Sequence, residues 1–402
     1  MAADDVWILG IHMTKFGKHP DRDTVDLAAE AALGALADGG VSMRDVGVLV
    51  AGNLMGGGGP IGQQLQKQVG QTGIPVYNVA NACATGATAL RTAIMALKAG
   101  ECDTGLAVGV EKLAGAGLLA GANRKADEDA SWTPRGRFGA VAPTDGRIGT
   151  ETMPGVFAQI GMEYGHRYGG TSFELFARIS EKNHAHSTLN PLAQYQKQFS
   201  LDEVMGAEMM AYPNTLLMCC PTGDGSASLV LVSEEKLQSL SDDQRKRAVK
   251  ISASVMTSDP WTETDQVQPD VNTLTRDAAN QAYETAGVDP SDLDLVELHD
   301  CFATAELIHY DNLGLCKPGE AGKFIDERGP WRDGETPVNA SGGLISKGHP
   351  LGATGVANLY EVATHLRGEA GDRQIEDAKV GLTHVIGLGS ACAVHVLEKA
   401  AV

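Results

Sequence analysis

The sequence predicts a layered α/β fold built from two related halves with a loop domain inserted between them. Three observations carry this reading. A helix-then-strand plan occurs twice, glycine-rich turns sit at corresponding places in the two copies, and a long stretch between the copies has no counterpart.

The chain opens on "VWILGIHM", a short apolar run after acidic residues, which reads as a first strand and not as a signal peptide. Next, "TVDLAAEAALGALADGG" sets alanine and leucine at helical spacing and closes on glycine, as helix C-termini do. "VGVLVAG" then follows as a strand covered on both faces. The second copy repeats this with "LTRDAANQAYETAG" and "LDLVEL", so that residues 40–53 align with residues 287–300. Further on, "PVYNVANACATGATALRTAIMALKAG" matches "TPVNASGGLISKGHPLGATGVANLYEVATHLRG", each running from strand through a glycine-rich turn into a helix. Both copies then enter another strand, "TGLAVGVEKL" in one and "AKVGLTHVIGLGSACAVHVLEK" in the other.

Residues 114–209 do not repeat. Their first part, to residue 150, reads as surface loop; "SFELFARISEKNHAHS" reads as an amphipathic helix, and a long insertion of this kind serves as a lid or substrate wall. "GDGSASLVLVSEEKL" restores a strand to the first half. The expected division is therefore residues 1–113 with 210–245 as the N-terminal half, 114–209 as the inserted domain, and 246–402 as the C-terminal half.

Composition narrows the function. With 402 residues, 43% hydrophobic and 21% charged, the chain can bury a core in each half. A formal charge of −19 without a basic run argues against nucleic acid and anionic lipid as partners. No segment approaches the length of an uncharged apolar membrane span, and a cytoplasmic location is expected. Seven cysteines without a secretory signal read as reduced thiols, and the absence of CxxC spacing leaves no metal motif. Gly56 to Gly59 lack the spacing of a dinucleotide fingerprint, so no cofactor is expected.

Four places carry candidate chemistry. Cys83 lies where a strand turns into a helix whose free N–H groups and dipole are expected to lower the thiol pKa; on residue type alone, an inert buried cysteine is the commoner reading. His349 occupies the corresponding turn of the second copy, before Pro350. Turns from two such halves can converge and bring a thiol to an imidazole. His299, Asp300 and Cys301 end a buried strand, where α/β sheets gather their sites. Gly387, Leu388 and Gly389 offer backbone N–H groups to a developing oxyanion. Cys392 and Cys316 read as packing residues.

"NACATG", "HDCF" and "GGLISKGHPLGATG", with "KNHAHS" and "CCPTGDG" between, resemble the thiolase superfamily, and within it the sterol-carrier-protein-type thiolases, over nearly the whole chain. The resemblance implies the thiolase fold, with its layered α-β-α-β-α core, and reversible acyl transfer between acyl-CoA thioesters with carbon–carbon bond formation or cleavage. It makes Cys83 the acyl-accepting nucleophile, His349 its activator, Cys301 the cysteine that moves the α-proton, and His299 a ligand of the thioester oxygen. The late CxG motif of other thiolases is here Gly387–Leu388–Gly389, with Gly389 contributing to the oxyanion hole and the acid/base cysteine relocated to Cys301. It further implies acyl-CoA substrates, a homodimer or homotetramer, and room for a small partner protein. Arg124, Lys125, Arg135 and Arg137 are candidates for meeting CoA phosphates. Three alternatives stay open: a decarboxylative ketosynthase, against which Cys301 argues; a thiolase-fold retro-aldolase, against which Cys83 argues; and an acyl-CoA- or lipid-binding module without turnover.

Overall fold

The computed structural model describes residues 5–56, 59–114, 153–260, 271–388 and 391–400. Eleven strands occur among them: β1 (Val6–Met13), β2 (Val48–Gly52), β3 (Val76–Val79), β4 (Thr104–Lys112), β5 (Met209–Ala211), β6 (Asn214–Thr215), β7 (Asp224–Ser233), β8 (Val249–Thr257), β9 (Leu295–Glu297), β10 (Val380–Gly387) and β11 (Ala391–Lys399). All but the short hairpin β5–β6 form one nine-stranded sheet in the order β3-β2-β4-β7-β1-β8-β11-β10-β9.

The duplication read from the sequence is visible in that order. From the centre outward, β1, β7, β4 and β2 have β8, β11, β10 and β9 as counterparts, and pairing senses agree: antiparallel, antiparallel, then parallel. Even β3 has an echo, since Val338 makes a single parallel bridge to Val296 of β9. The halves meet where β1 pairs antiparallel with β8, Val6 opposite Ile251, which joins them into one continuous sheet. Valine, isoleucine and leucine fill these strands because both faces are covered; every residue of β2 and β7 is buried.

Two helices form the middle layer. Thr85–Lys98 and Leu351–Arg367 follow the corresponding glycine-rich turns and pack on each other, the second touching strands of both halves. Their approach is close enough that a Cβ on Gly355 would lie 2.4 Å from the Ala87 nitrogen, so a larger residue is excluded there. Thr24–Gly39 covers the first half from outside, and Val271–Ala286 the second. Outer helix, strands, inner helices, strands and outer helix are the layers expected.

Within the insertion, helices Met153–Tyr168 and Phe173–Ser187 pack against helix Ala303–Asn312, directly after the "HDCF" segment. The second is more than the amphipathic surface helix expected: Lys182, Asn183, His184 and His186 are buried with its apolar side. The loop read at residues 114–150 lies outside the described residues apart from Ala114, as do Arg124, Lys125, Arg135 and Arg137. No described helix is long and apolar enough to cross a membrane.

Candidate active site

Cys83 sits in a turn between β3 and the helix beginning at Thr85. The Asn81 N–H donates to the Thr85 hydroxyl (2.8 Å), which donates to the Ala82 carbonyl (2.6 Å), and Ala82 takes a left-handed φ of 47°. Such a conformation is costly for alanine and persists because its surroundings enforce it. Part of that enforcement is β10, whose Gly387 comes so close that a Cβ would lie 2.6 Å from the Asn81 carbonyl oxygen. Leu388 then presents its backbone to the Cys83 sulfur.

The helix-end position does not lower the Cys83 pKa as expected. The residue keeps some exposure, but burial of its thiol pushes the pKa up to about 12, outweighing the hydrogen bonds from Leu388 and its own backbone, and Glu111 adds to the rise. Desolvation of the thiolate exceeds the fixed dipoles that favour it. Burial therefore favours the thiol form of Cys83.

His349 places a ring nitrogen within 4.8 Å of the Cys83 sulfur. Its Nδ1 lies 2.7 Å from the Thr354 hydroxyl, and that hydroxyl donates to the Pro350 carbonyl at 3.0 Å. With the hydroxyl hydrogen on Pro350, the matching tautomer has its proton on Nδ1 and a bare lone pair on Nε2. Nε2 has no protein partner, and burial lowers the His349 pKa to about 3, with nearby Lys347 adding to the effect. Lys347 is anchored to Glu297 (3.3 Å) and Asn358 (3.3 Å), all buried, which fixes the chain leading into the histidine.

His299 follows β9. Its ring stands edge-on to that of His349, centroids 5.2 Å apart, and neither ring nitrogen has a protein partner. Burial, then His349 and His384, hold its pKa well below the usual value. The Cys83 sulfur and ring nitrogens of His299 and His349 all lie within 4.8 Å of one another. Cys301 is buried beside them. Burial raises its thiol pKa, and Cys220, Cys83, Asp300 and Cys219 raise it further. The structure thus brings together Cys83, His299, Cys301 and His349. Gly389 lies outside the described residues; its neighbour Leu388 reaches Cys83.

Asp300 points away from this group. One carboxylate oxygen accepts from the Leu344 N–H (2.6 Å) and the other from the Ile345 N–H (3.3 Å), tying the "HDCF" segment to the short helix Gly343–Lys347 that precedes His349. Gly343 has φ of 60°, and a Cβ there would lie 2.1 Å from an Asp300 oxygen. Behind Asp300 stands a buried lattice that sequence reasoning missed. Asn183 Nδ2 donates to both Asp300 (2.9 Å) and Glu306 (2.6 Å), while Lys182 pairs with Glu306 at 2.6 Å and donates to the Val338 carbonyl at 2.8 Å. Asn339 and the Tyr310 hydroxyl also donate to Glu306. The "KNHAHS" segment was the available signal, since a lysine and an asparagine on the apolar side of a helix require buried partners.

Cys220 was also missed. Its N–H donates to the Cys301 carbonyl at 2.9 Å, and Cys219 forms an isolated antiparallel bridge with Phe302, which places "CCPTGDG" against "HDCF". Cys392 is fully buried opposite Ile386, and Cys316 packs against the same core, as expected.

Comparison with known proteins identifies the family. Residues 6–131 match the family described as "Thiolase, N-terminal domain", and residues 260–399 the one described as "Thiolase C-terminal domain-like". Bovine sterol carrier protein 2 is 40% identical over 394 residues, covering 97% of this chain and 71% of that protein. An acetyl-CoA acetyltransferase of Methanothermobacter thermautotrophicus is 36% identical over 400 residues, 98% of this chain and 100% of its own. Among solved structures, an Ltp2-ChsH2(DUF35) aldolase superposes with a TM-score of 0.79 at 24% identity, covering 98% of each chain, a likeness of fold.

Proposed function

Because the chain belongs to the thiolase family, we propose that it transfers acyl groups between CoA thioesters through an acyl-Cys83 intermediate, joining or cleaving a carbon–carbon bond. One observation carries the reading: the Cys83 sulfur and one ring nitrogen each of His349 and His299 meet within 4.8 Å, with the Cys301 thiol buried in the same region.

In the first stage Cys83 attacks the thioester carbonyl and its proton passes to His349 Nε2. The acyl–sulfur bond to CoA breaks as the bond to Cys83 forms, and the departing CoA thiolate takes the Cys301 proton. The oxyanion is met by backbone N–H groups of Cys83 and Gly389, a type of contact whose loss costs about 10²–10³ in rate. In the second stage the Cys301 thiolate removes the α-proton of a second thioester, and His299 and protonated His349 hold the enolate oxygen. The enolate carbon attacks the acyl group; Cys83 leaves and recovers its proton from His349. Run in reverse with CoA, these steps cleave a 3-ketoacyl-CoA. All protons are accounted for and no cofactor enters.

The proposed working form is at least a dimer. β3 is an edge strand of the sheet, its Tyr77 is 43% exposed, and it leads straight into the Cys83 turn, so pairing of two copies along it would brace the nucleophile. A small partner protein and cytoplasmic residence belong to the same reading.

Thiolysis of acetoacetyl-CoA and longer 3-ketoacyl-CoAs by the Cys83→Ala variant tests the covalent step; full retained activity refutes it. The same assay separates acyl transfer from a module that binds acyl-CoA without turnover. Cys301→Ala should acylate more slowly, having lost the proton that meets departing CoA, but should not take the α-proton, so labelled acetyl should accumulate on that variant.

A further inference from the structure

We propose that the reaction centre also binds one thiophilic divalent cation, of the zinc or cadmium type, through Cys83 Sγ, His349 Nε2 and a ring nitrogen of His299, and that the bound cation blocks acylation. The blocking clause rests on Cys83 being the nucleophile; the binding clause does not.

Three features beyond the residue types point to a cation. First, the three donor atoms already lie within 4.8 Å of one another. A tetrahedral zinc bound to one sulfur and two nitrogens needs separations of about 3.3–3.6 Å, given bond lengths of about 2.3 and 2.0–2.1 Å, so modest side-chain rotations close the site. Second, the ring nitrogens are unpartnered in a buried place. His349 Nε2 and both His299 nitrogens have no protein partner, although His299 and His349 are 1% and 2% exposed. Third, the orientation is fixed by an outer contact. Thr354 holds the proton of His349 on Nδ1 and leaves Nε2 to face inward, which is how ligating histidines are oriented in metal sites.

Binding is balanced by one proton. The Cys83 S–H bond breaks, its proton goes to buffer, and the sulfur–metal bond forms, leaving one net positive charge among the donors. A cation so held occupies the lone pairs of both the nucleophile and its base. Conversely, an acylated Cys83 has no thiolate to offer, so acyl donor and cation exclude each other.

Cobalt(II) provides a readout independent of turnover. Titrating Co²⁺ alone into the full-length metal-free protein should give a thiolate-to-cobalt charge-transfer band in the near ultraviolet that saturates at one ion per chain, and Zn²⁺ should abolish it. His299→Ala should weaken binding by about 10-fold or more. Alkylating Cys83 with iodoacetamide, or replacing it in Cys83→Ser, should remove the band. Absence of the band, or a band that survives in Cys83→Ser, overturns the site. If 3-ketoacyl-CoA thiolysis is present in the metal-free protein, stoichiometric Zn²⁺ should lower it at least 10-fold, with recovery on adding chelator and protection by prior acetyl-CoA. Inhibition that ignores prior acylation overturns the blocking clause. A protein that binds Co²⁺ as described but lacks thiolysis keeps the site and rejects the acyl-transfer reading.

Discussion

The Thr354 hydroxyl stands 2.7 Å from His349 Nδ1 and 3.0 Å from the Pro350 carbonyl, so a single threonine holds one imidazole nitrogen and leaves Nε2 without a protein partner. Replacing it with valine keeps the shape and removes the acceptor. Thr354→Val should slow Cys83 acylation by about 10-fold, equivalent to about 1.4 kcal/mol of barrier, with little change in KM. Single-turnover acylation measures this; an unchanged rate would show that the tautomer is set elsewhere.

Lys182 and Glu306 form an ion pair with no exposed side-chain surface on either partner. Removing one partner strands the other charge, at a cost of about 3–5 kcal/mol. Lys182→Met should therefore lower the urea midpoint markedly, whereas the double change Lys182→Met with Glu306→Leu should recover a large part of the loss. If the double variant is no more stable than the single, the stranded-charge explanation fails.

Asp300→Asn tests positioning and not only stability. It leaves one oxygen for the Leu344 and Ile345 N–H groups and turns an N–H₂ toward donors, so the turn bearing His349 should shift relative to Cys301. The α-proton step should slow more than acylation, which rapid-quench trapping of acyl-enzyme resolves. Equal slowing of both stages would assign Asp300 a purely structural role.

Eight of the eleven histidines are held neutral by burial: His184 and His365 to a pKa of about 4, His186, His349 and His395 to about 3, and His299, His309 and His384 well below the usual value. In the unfolded chain each takes a proton near pH 6.5. The unfolded state thus binds more protons below that pH, and stability falls with pH from about 6.5 toward 4. Each histidine contributes about 1.4 kcal/mol per pH unit in that window. The buried carboxyls of Glu111, Glu297, Asp300 and Asp311, whose pKa values are raised, act in the opposite sense but are fewer. Cooperative unfolding by circular dichroism is expected on acidifying below pH 6.5, before the ordinary carboxylate range. A flat stability profile between pH 7 and 5 would contradict it.

Gly355→Ala should destabilise strongly, because the added carbon meets the Ala87 backbone nitrogen at 2.4 Å and not a movable side chain. A melting temperature within a degree of the parent would mean that the two inner helices can separate at little cost.

Local pattern made the halves legible: each strand and helix announces itself by apolar spacing and by the glycine that ends it. The convergence of Cys83 with His349 was legible for the same reason, since corresponding turns of a duplicated fold meet near its pseudo-axis. Pairing between β1 and β8 was not, because residues as distant as Val6 and Ile251 leave no periodic mark of their contact. Nor was the thiol's proton affinity. The helix start before Thr85 is readable in sequence, but the desolvation that overrides it comes from chains folded over Cys83 from elsewhere. Lys182 and Asn183 stood within a recognised segment, yet their partners Glu306, Asp300 and Asn339 became apparent only in three dimensions.

Helix Phe173–Ser187 is riveted to the reaction centre through Lys182 and Asn183 while its other side packs on the rest of the insertion. An insertion so fastened has little liberty on its inner wall. Relatives that accommodate acyl groups of different bulk would have to change its outer loops and leave this one flank in place, so divergence in substrate choice should be lopsided around the cavity.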